Sequence, residues 1–427
     1  MTTVESAWAS HPGYWIKLVP IKGTARVWSG GVLLAESTKA LRLIEKDHVE
    51  RLYLPEGDVH LDLLETNENH SVCPFKGRAD YWSFTETATP VEDVFWTYRD
   101  PFEQVAGIDG FLGVYHEKDG VEAEIVSTWP GDGLTSTTSF PAWGDEDDLL
   151  AVMDSELVGE GIYAAPGYHV RTRNVVEGGQ LLGQAIVAAS KANPDQRVVS
   201  ASATFAKAAN FDDPIDLSVE LVRKGRTFSS VTVRSEQRGT LISPALLLMD
   251  VGAEDLMRNE TPMPDVPGPD TCPPFDMSVI GRDIRVVDGA YPGDIDEVGP
   301  ANVYVWMRFR DNPPTQALRS AALTQAVPHW TIAAAMRPHP GISQSQAHVT
   351  LSTGIMALDM AFHDDAPLDE WFLYANPVVW SGRGLTIGAG TIFSHTGLML
   401  ASFLVHGMAR SITARPDAIG KDSSDFM

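Results

Sequence analysis

Two parts of the chain show the same order of hydrophobic patterns. In each part, apolar residues first recur at helical spacing, and several segments of alternating apolar and polar residues then follow. The helices are predicted over 178–192 and within 315–339. Alternation is clearest in 228–237, where Val231 and Val233 face away from their polar neighbours. We therefore predict one helix wrapped by a long antiparallel sheet, formed twice.

The first third of the chain has a different pattern. Seven short strand-like segments, from "ARVWSGGVLLAES" through "VHLDLLE" to "FLGVYHEK", follow one another between turn signals and leave no room for a long helix. This spacing predicts a compact antiparallel β domain. Two segments between these parts are predicted to be connectors. One is rich in Gly, Pro, Thr, Ser and acidic residues, and the other is rich in Pro. The predicted order is a β domain (1–127), a linker (128–154), a helix-and-sheet unit (155–251), a Pro-rich linker (252–300), a second such unit (301–412) and a tail (413–427).

Charge and cysteine content narrow the classes of function. The net charge is −25 over 427 residues, which disfavours binding to nucleic acid and to anionic membranes. No apolar run approaches the roughly 18 residues that a membrane-spanning helix needs. Cys73 and Cys272 are the only cysteines, too few for a disulfide scaffold or a four-thiolate zinc site. These features predict a cytoplasmic protein without a bound metal.

The two helix-and-sheet units resemble the TesB-like acyl-CoA thioesterases, which are double hotdogs. The resemblance covers about 250 residues and depends on "VVEGGQLLGQA" (175–185), "LVRKGRTFSSVTVRSEQ" (221–237), "VYVWMRFRD" (303–311), "DEWFLYANPVVWSGRGL" (369–385) and "GLMLASFLVHGMAR" (397–410). It implies an α+β fold in which two hotdog sheets lie side by side and hide two edges, with further pairing of copies into a homo-oligomer as an option. It also implies an acyl-CoA or related acyl ligand, with coenzyme A as part of the substrate and no separate cofactor.

The first domain resembles the small β domain of unknown function called DUF427. The matching segments are "LLAESTKALRLIE", "YLPEGDVHLDLLE", "CPFKGRADYWSF" and "VFWTYRDP". The resemblance implies a β-tent-like fold, some of whose relatives hold zinc with four cysteines, which Cys73 alone cannot do. Within this domain, Cys73, Lys76, Tyr81, Trp82 and Trp96 mark the densest group of reactive and aromatic side chains. We interpret them as a candidate site for a small planar ligand, with a structural turn and core aromatics as the alternative.

The residues that carry the chemistry of the thioesterase family are missing from the expected positions. In the family, an Asp on the second hotdog's helix, a Thr on a following strand and a Gln on the last strand orient water and polarise the thioester carbonyl. An ungapped alignment places Pro328, Ile355 and Val405 at these three positions. None of these side chains can donate, accept or carry a proton. Pro328 is also expected to kink or end the helix.

The start of the first helix offers a replacement site. Glu177, Gly178, Gly179 and Gln180 precede the apolar helical run. Free backbone N–H groups and the helix dipole at such a start favour a developing oxyanion, and glycine lets a thioester carbonyl approach closely. Glu177 is a candidate base. The alternative is that the glycines serve only close packing and that Glu177 is an ordinary first-turn acid.

The second helix and the strand after it supply further candidates. His329 is a candidate base next to Pro328, and Gln325 lies one helical turn before it on the same side. Thr353 and Asp359 are two and four residues from Ile355, so a regular strand places all three on one face. A structural role is the alternative for each.

Several arginines are candidate ligands of the coenzyme A phosphates, among them Arg226 and Arg308. The leading functional prediction is hydrolysis of a fatty or other acyl-CoA thioester by a non-standard catalytic set. One alternative is an acyl-CoA or lipid-like ligand-binding protein without turnover. Another is a hotdog hydratase or dehydratase, which needs an imidazole and a carboxylate together in the cavity.

Overall fold

The structure is a computed structural model that divides into two units, residues 1–142 and 143–427. It describes residues 6–11, 14–21, 23–45, 48–86, 90–127, 146–166, 175–211, 213–275, 279, 281–291 and 295–412. The predicted tail (413–427) and most of the predicted first linker (128–145) lie outside this part of the chain.

The first unit is built from two antiparallel sheets. Its ten strands are β1 (Ile16–Pro20), β2 (Thr24–Ser29), β3 (Val32–Ser37), β4 (Leu41–Glu45), β5 (Arg51–Pro55), β6 (Glu65–Cys73), β7 (Gly77–Phe84), β8 (Val91–Tyr98), β9 (Phe111–Val114) and β10 (Val121–Val126). A seven-stranded sheet in the order β1-β4-β5-β9-β8-β7-β6 packs against a three-stranded sheet in the order β10-β2-β3. Side chains such as Val27, Leu34 and Leu52 are fully buried in the core that includes strands of both sheets.

One strand predicted in this unit is wrong. The segment "VHLDLLE" (59–65) contains a 3₁₀ turn at Leu61–Leu63 instead of a strand. Conversely, the structure contains a strand, β6, that was not predicted, because its sequence "ETNENHSVC" is polar; its side chains are almost all exposed. It lies at the edge of the sheet, where one face and one side meet solvent and no apolar alternation is required.

The second unit is one twelve-stranded antiparallel sheet around two long helices. Its strands are β11 (Glu156–Gly159), β12 (Ile162–Ala165), β13 (Arg197–Thr204), β14 (Ile215–Lys224), β15 (Phe228–Gln237), β16 (Thr240–Asp250), β17 (Arg282–Val286), β18 (Asn302–Phe309), β19 (Leu351–Phe362), β20 (Phe372–Gly382), β21 (Leu385–Ser394) and β22 (Met399–Ser411). The helices are α1 (Glu146–Met153), α2 (Gly178–Ala192) and α3 (Gln316–Met336).

The sheet consists of two equivalent halves. The order β11-β12-β14-β15-β16-β13 in the first half repeats as β17-β18-β20-β21-β22-β19 in the second, and β13 pairs with β19 at the centre. Helix α2 stands between β12 and β13 in sequence, as α3 stands between β18 and β19. The predicted α+β double hotdog, with two sheets joined side by side, is confirmed.

Two elements lie inside segments predicted as linkers. Helix α1 forms within 128–154, since Leu149, Val152 and Met153 are buried in the core of this unit. Its first residue, Glu146, is buried as well, and its carboxylate accepts hydrogen bonds from the backbone N–H groups of Arg310 (2.7 Å) and Asp311 (3.1 Å). Strand β17 forms within 252–300 and pairs with β18. The linkers are therefore partly built into the fold.

Helix α3 continues through Pro328, so the predicted end of the helix at this residue is wrong. Pro328 has no N–H for the carbonyl of Thr324, four residues earlier. Packing on both sides offsets this loss: the Tyr374 hydroxyl donates to the Leu323 carbonyl (2.9 Å), and α2 lies against the same stretch of backbone. Burial within the sheet holds the helix together where its local sequence would not.

Candidate active site

Glu177 is the N-cap residue of α2, with extended backbone (φ −70°, ψ 145°), but its side chain does not cap its own helix. Instead the carboxylate reaches across to α3, where Oε2 accepts a hydrogen bond of 3.1 Å from Gln325 Nε2. About 36% of the Glu177 side chain remains exposed. The start of α2 therefore carries a carboxylate that Gln325 of α3 holds in place and that water can reach.

Gln325 is the centre of this polar group. Its Nε2 lies 3.1 Å from Glu177 Oε2 and 3.2 Å from His329 Nε2, and its Oε1 accepts a hydrogen bond of 3.3 Å from Arg282 Nη1. An arginine only donates hydrogen bonds, so the atom of Gln325 that faces Arg282 must be the oxygen. The NH₂ group must then face Glu177 and His329, which fixes the orientation of the amide.

The orientation of Gln325 sets the protonation of His329. Because Gln325 Nε2 can only donate, its hydrogen bond to His329 Nε2 requires that nitrogen to be unprotonated. Burial lowers the pKa of His329; Glu177 opposes this shift, and Arg282 adds to it. Both observations favour a neutral imidazole with its proton on Nδ1. His329 Nε2 lies 3.6 Å from Glu177 Oε2, so the site holds two acceptors beside one amide donor. We name Glu177, Gln325 and His329 the helix-junction trio.

The glycines after Glu177 have a packing role. A Cβ on Gly179 would lie 2.6 Å from the Gln325 carbonyl oxygen and 2.9 Å from that of Thr324. A Cβ on Gly178 would lie 2.5 Å from Ile355 Cδ1 and 2.8 Å from the Phe205 ring. These contacts let α2 and α3 approach closely enough for Glu177 to reach Gln325. The side chain of Gln180 is buried, and its Nε2 has no hydrogen-bond partner among the residues that the structure describes.

The three positions that the alignment assigns to the family's catalytic residues carry apolar side chains. Pro328 is within α3, and Val405 is buried in β22 with 1% exposure. Ile355 packs beside Gly178. Pro328 precedes His329 on α3, and Ile355 contacts the residue after Glu177, so the trio supplies polar groups near two of the three positions.

The predicted face of β19 is only half correct. Thr353 is buried, and its Oγ1 lies 3.4 Å from His348 Nε2. A β-bulge between Ile355 and Ala357 shifts the register, so that Leu358 and Met360 become the inward positions. Asp359 therefore does not share the face of Ile355, because the extra residue reverses the alternation.

The two arginines predicted to bind phosphates differ in environment. Arg226 is exposed in the turn between β14 and β15. Arg308 donates to the buried carboxylate of Asp283 (3.2 Å), and its guanidinium lies 4.6 Å from the centre of the Trp371 ring. Arg226 is the more accessible of the two. Of the described residues, none form a group of His, Cys, Asp and Glu that could hold a metal ion.

Arg282 and Tyr291 belong to the site but were not predicted. Arg282 is buried on β17, and the negative charge of Glu177 adds to the burial that raises the pKa of Tyr291. Both residues come from the Pro-rich segment predicted as a linker. The alternation in "RDIRVV" is the signal that identifies β17, and the surrounding prolines obscured it.

A surface crevice of about 340 Å³ lies at the other end of α2 from Glu177. Ser190, Asp195, Arg197, Gln316 and Ser320 are among the residues that line it. The crevice is mainly polar and does not include any member of the trio. It is therefore a separate feature of the second unit, against which binding at the trio can be tested.

The residues predicted as a site in the first unit do not all share one face. Tyr81 and Trp82 are neighbours on β7, and successive strand residues point to opposite faces. Trp82 belongs to the core between the two sheets, while Tyr81 and Cys73 lie on the other face of the large sheet. Lys76 is buried and forms an ion pair with Glu45. Trp96, which lies opposite Tyr81 on β8, shares the face of Tyr81 and Cys73, as predicted.

Two halves, each a long helix wrapped by an antiparallel sheet, define the class of hotdog-fold proteins. Three family models match the chain: "Domain of unknown function (DUF427)" over 17–127, "Acyl-CoA thioesterase N-terminal domain" over 166–249 and "Acyl-CoA thioesterase C-terminal domain" over 258–404. The chain belongs to the acyl-CoA thioesterase family, with a DUF427 domain preceding the two thioesterase domains.

Individual relatives agree with this assignment. The chain is similar to acyl-coenzyme A thioesterase 8 of Mus musculus, with 23% identity over 61% of this chain and 88% of that protein. It is 25% identical to acyl-CoA thioesterase 2 of Haemophilus influenzae over 62% of this chain and 97% of that protein. The crystal structure of acyl-CoA thioesterase II TesB2 from Mycobacterium marinum shares the fold, with a TM-score of 0.52, 24% identity and coverage of 62% and 98%.

Proposed function

We propose that this chain hydrolyses an acyl-CoA thioester with Glu177 as the general base and with Gln325 and His329 as positioning residues. The observation that carries the proposal is the junction of α2 and α3, where one amide holds a carboxylate and a neutral imidazole together. A carboxylate of this kind can take the place of the missing Asp, Thr and Gln, because the task is to orient and deprotonate one water molecule.

The reaction can be written with these groups. Water attacks the thioester carbonyl carbon while Glu177 takes one of its protons. The tetrahedral intermediate then collapses, the carbon–sulfur bond breaks, and the coenzyme A thiolate receives the proton from Glu177. The products are a carboxylic acid and free coenzyme A. Gln325 keeps Glu177 directed at the water, and the neutral His329 leaves the carboxylate unpaired.

The start of α2 supplies the stabilisation of the oxyanion. The first N–H groups of a helix have no intrahelical acceptor, and their partial positive charge is worth most in a water-poor site. Gly178 and Gly179 present these N–H groups without side chains of their own. Exposed cations of the β14–β15 turn, including Arg226, are suited to the phosphates of coenzyme A.

The direct test is release of free coenzyme A thiol by the purified full chain from short, medium and long acyl-CoA substrates. The proposal requires a rate above background that is proportional to enzyme concentration. Saturable binding of acyl-CoA without thiol release would instead support the ligand-binding alternative, which the apolar residues at the family's catalytic positions favour. Loss of an enoyl-CoA double bond without thiol release would support a hydratase.

The environment of His329 predicts a pH dependence. Below its lowered pKa, His329 becomes a cation that pairs with Glu177 and weakens it as a base, so kcat/KM is expected to fall as the pH drops, with a midpoint below about 6.5. The same protonation removes stability, because a histidine buried as the neutral form contributes stability above its unfolded pKa and loses it as the pH falls. A pH profile of kcat/KM measures this. His329→Gln is expected to move or abolish the acid limb; an unchanged limb in that variant would assign it to another group.

The cellular setting is also part of the proposal. Cys73 and Cys272 are both free thiols, which suits a reducing cytoplasm, and hydrolysis of fatty acyl-CoA would give the chain a role in lipid metabolism. Of the described residues, none form a helix long and apolar enough to cross a bilayer. Pairing of copies through the hotdog sheets remains a prediction, which mass measurement of the protein in solution can test.

A further inference from the structure

Two apolar side chains fill the space beside Gly178, at the start of α2. A Cβ on Gly178 would lie 2.5 Å from Ile355 Cδ1 and 2.8 Å from two atoms of the Phe205 ring, Cε2 and Cζ. The tips of both side chains therefore converge on one point, next to the residue that follows Glu177. Both residues are only half-buried, although they pack against the core. We name Ile355 and Phe205 the apolar plug.

The bulge in β19 holds the apolar plug in place. Met356, directly after Ile355, is the extra residue of this bulge. Its carbonyl accepts a hydrogen bond of 3.0 Å from the Phe205 N–H group. The carbonyl of the preceding residue, Thr204, accepts a hydrogen bond of 2.9 Å from the Ser243 hydroxyl. The backbone at Phe205 is thus anchored to two neighbouring strands, which fixes where its ring can lie.

The duplicated fold contains the same place a second time, and there it is open. The counterpart of α2 is α3, which begins with Gln316 and Ala317. The counterpart of Ile355 is Val198, because each directly precedes the bulge in the central strand of its half. Val198 and the start of α3 both line the crevice of about 340 Å³, and none of its described lining residues is aromatic. A hollow therefore forms where a helix start meets this bulged strand, and in the first half Ile355 and Phe205 fill it.

A thioester bound at the start of α2 has to pass the apolar plug. Its carbonyl oxygen, which accepts hydrogen bonds from the first N–H groups of α2, lies about 3 Å from those nitrogens. The carbonyl carbon carries two substituents, the acyl chain and the sulfur of coenzyme A. The arm of coenzyme A contains amides that lose hydrogen bonds against apolar groups, whereas an acyl chain gains from such contact. The acyl chain is therefore the part that meets Ile355 and Phe205.

We propose that Ile355 and Phe205 restrict the substrate to short acyl groups, of acetyl to butyryl size. This inference rests on the proposed thioesterase function and deepens it, because it names the class of acyl-CoA. Side chains that fill a space at native packing density leave no room for further methylene groups, and a longer chain has to displace them. The isoleucine at the family's threonine position thus acts in substrate selection.

The test is the chain-length profile of thiol release by the full chain, measured with acetyl-, butyryl-, octanoyl- and palmitoyl-CoA. One methyl or methylene group in an apolar pocket is worth about 10–200-fold in discrimination, so wild-type kcat/KM for butyryl-CoA should exceed that for octanoyl-CoA by about 10-fold or more. Ile355→Val deletes only the Cδ1 methyl group that meets Gly178, and it should raise the octanoyl-to-butyryl ratio of kcat/KM by about 10-fold. Phe205→Leu, which shortens the other member of the plug, should shift the ratio in the same direction.

Ile387→Val is the matched control, because it deletes the same methyl group from a half-buried isoleucine on β21 of the same sheet. It should leave the profile unchanged. A wild-type preference for octanoyl- or palmitoyl-CoA, or identical profiles for Ile355→Val and wild type, would overturn this inference and leave the thioesterase function in place. Absence of thiol release from all four substrates would instead remove the thioesterase function, and the inference with it.

Discussion

Replacement of Glu177 by Gln is expected to lower kcat/KM for acyl-CoA hydrolysis by about 10²–10⁴-fold, the range for removal of a general base. The amide keeps the shape of the side chain and can still meet Gln325, but it cannot take a proton from water. The loss should appear mainly in kcat, because Glu177 acts on the water and not on the coenzyme A group. Thiol release measured over a range of substrate concentrations gives both constants.

The matched control for this variant is Glu220→Gln, which neutralises an exposed glutamate on β14 of the same unit. It should leave kcat and KM within about twofold of wild type, because a solvated surface charge acts only weakly at a distance. Thermal unfolding should be nearly the same for Glu177→Gln and wild type. Full activity in Glu177→Gln would rule out Glu177 as the base.

The second large effect is expected from Gly179→Ala. The new Cβ would lie 2.6 Å from the Gln325 carbonyl oxygen, a backbone atom that cannot move without moving α3. Overpacking of this kind costs about 1–3 kcal/mol in unfolding free energy, and the shift of α2 also separates Glu177 from Gln325. A lower Tm and a loss of thioesterase activity should therefore occur together.

Gly354→Ala provides the comparison, because a Cβ at Gly354 would meet no heavy atom within 4 Å. This variant should unfold at about the wild-type temperature and keep its activity. If Gly179→Ala behaved like Gly354→Ala, the close approach of α2 and α3 would not be what positions the trio.

The sequence was sufficient to predict the double hotdog, because each half repeats one helix followed by alternating strands. The bounds predicted for α2, 178–192, agree with the structure, since a Gly pair starts an unbroken apolar run. The first unit was predictable as a β domain because short strand-like segments follow one another between turn signals. Strand β6 was not predicted because its polar sequence lacks apolar alternation. Strand β17 was not predicted because the prolines around it obscure its boundaries.

The members of the trio were predicted one by one, but neither their arrangement nor the neighbouring Arg282 and Tyr291 was predicted. Glu177, Gln325 and His329 were each candidates, yet their meeting depends on the crossing of α2 over α3, which sequence spacing does not give. Arg282 fixes the amide of Gln325 from a strand that the sequence concealed. The bulge in β19 reversed the face of Asp359, and only the pairing with β22 reveals it. Helix α3 passes through Pro328 because tertiary packing overrides the local preference.

The central claim is that the thioester lies at the junction of α2 and α3. A crystal structure of the full chain with an acyl-CoA analogue whose thioester sulfur is replaced by CH₂ tests this most directly. We predict the ketone oxygen at about 3 Å from the N–H groups that begin α2, with a water between the carbonyl carbon and Glu177. An analogue bound with its ketone in the crevice at the far end of α2, or anywhere away from the helix-junction trio, would contradict the account.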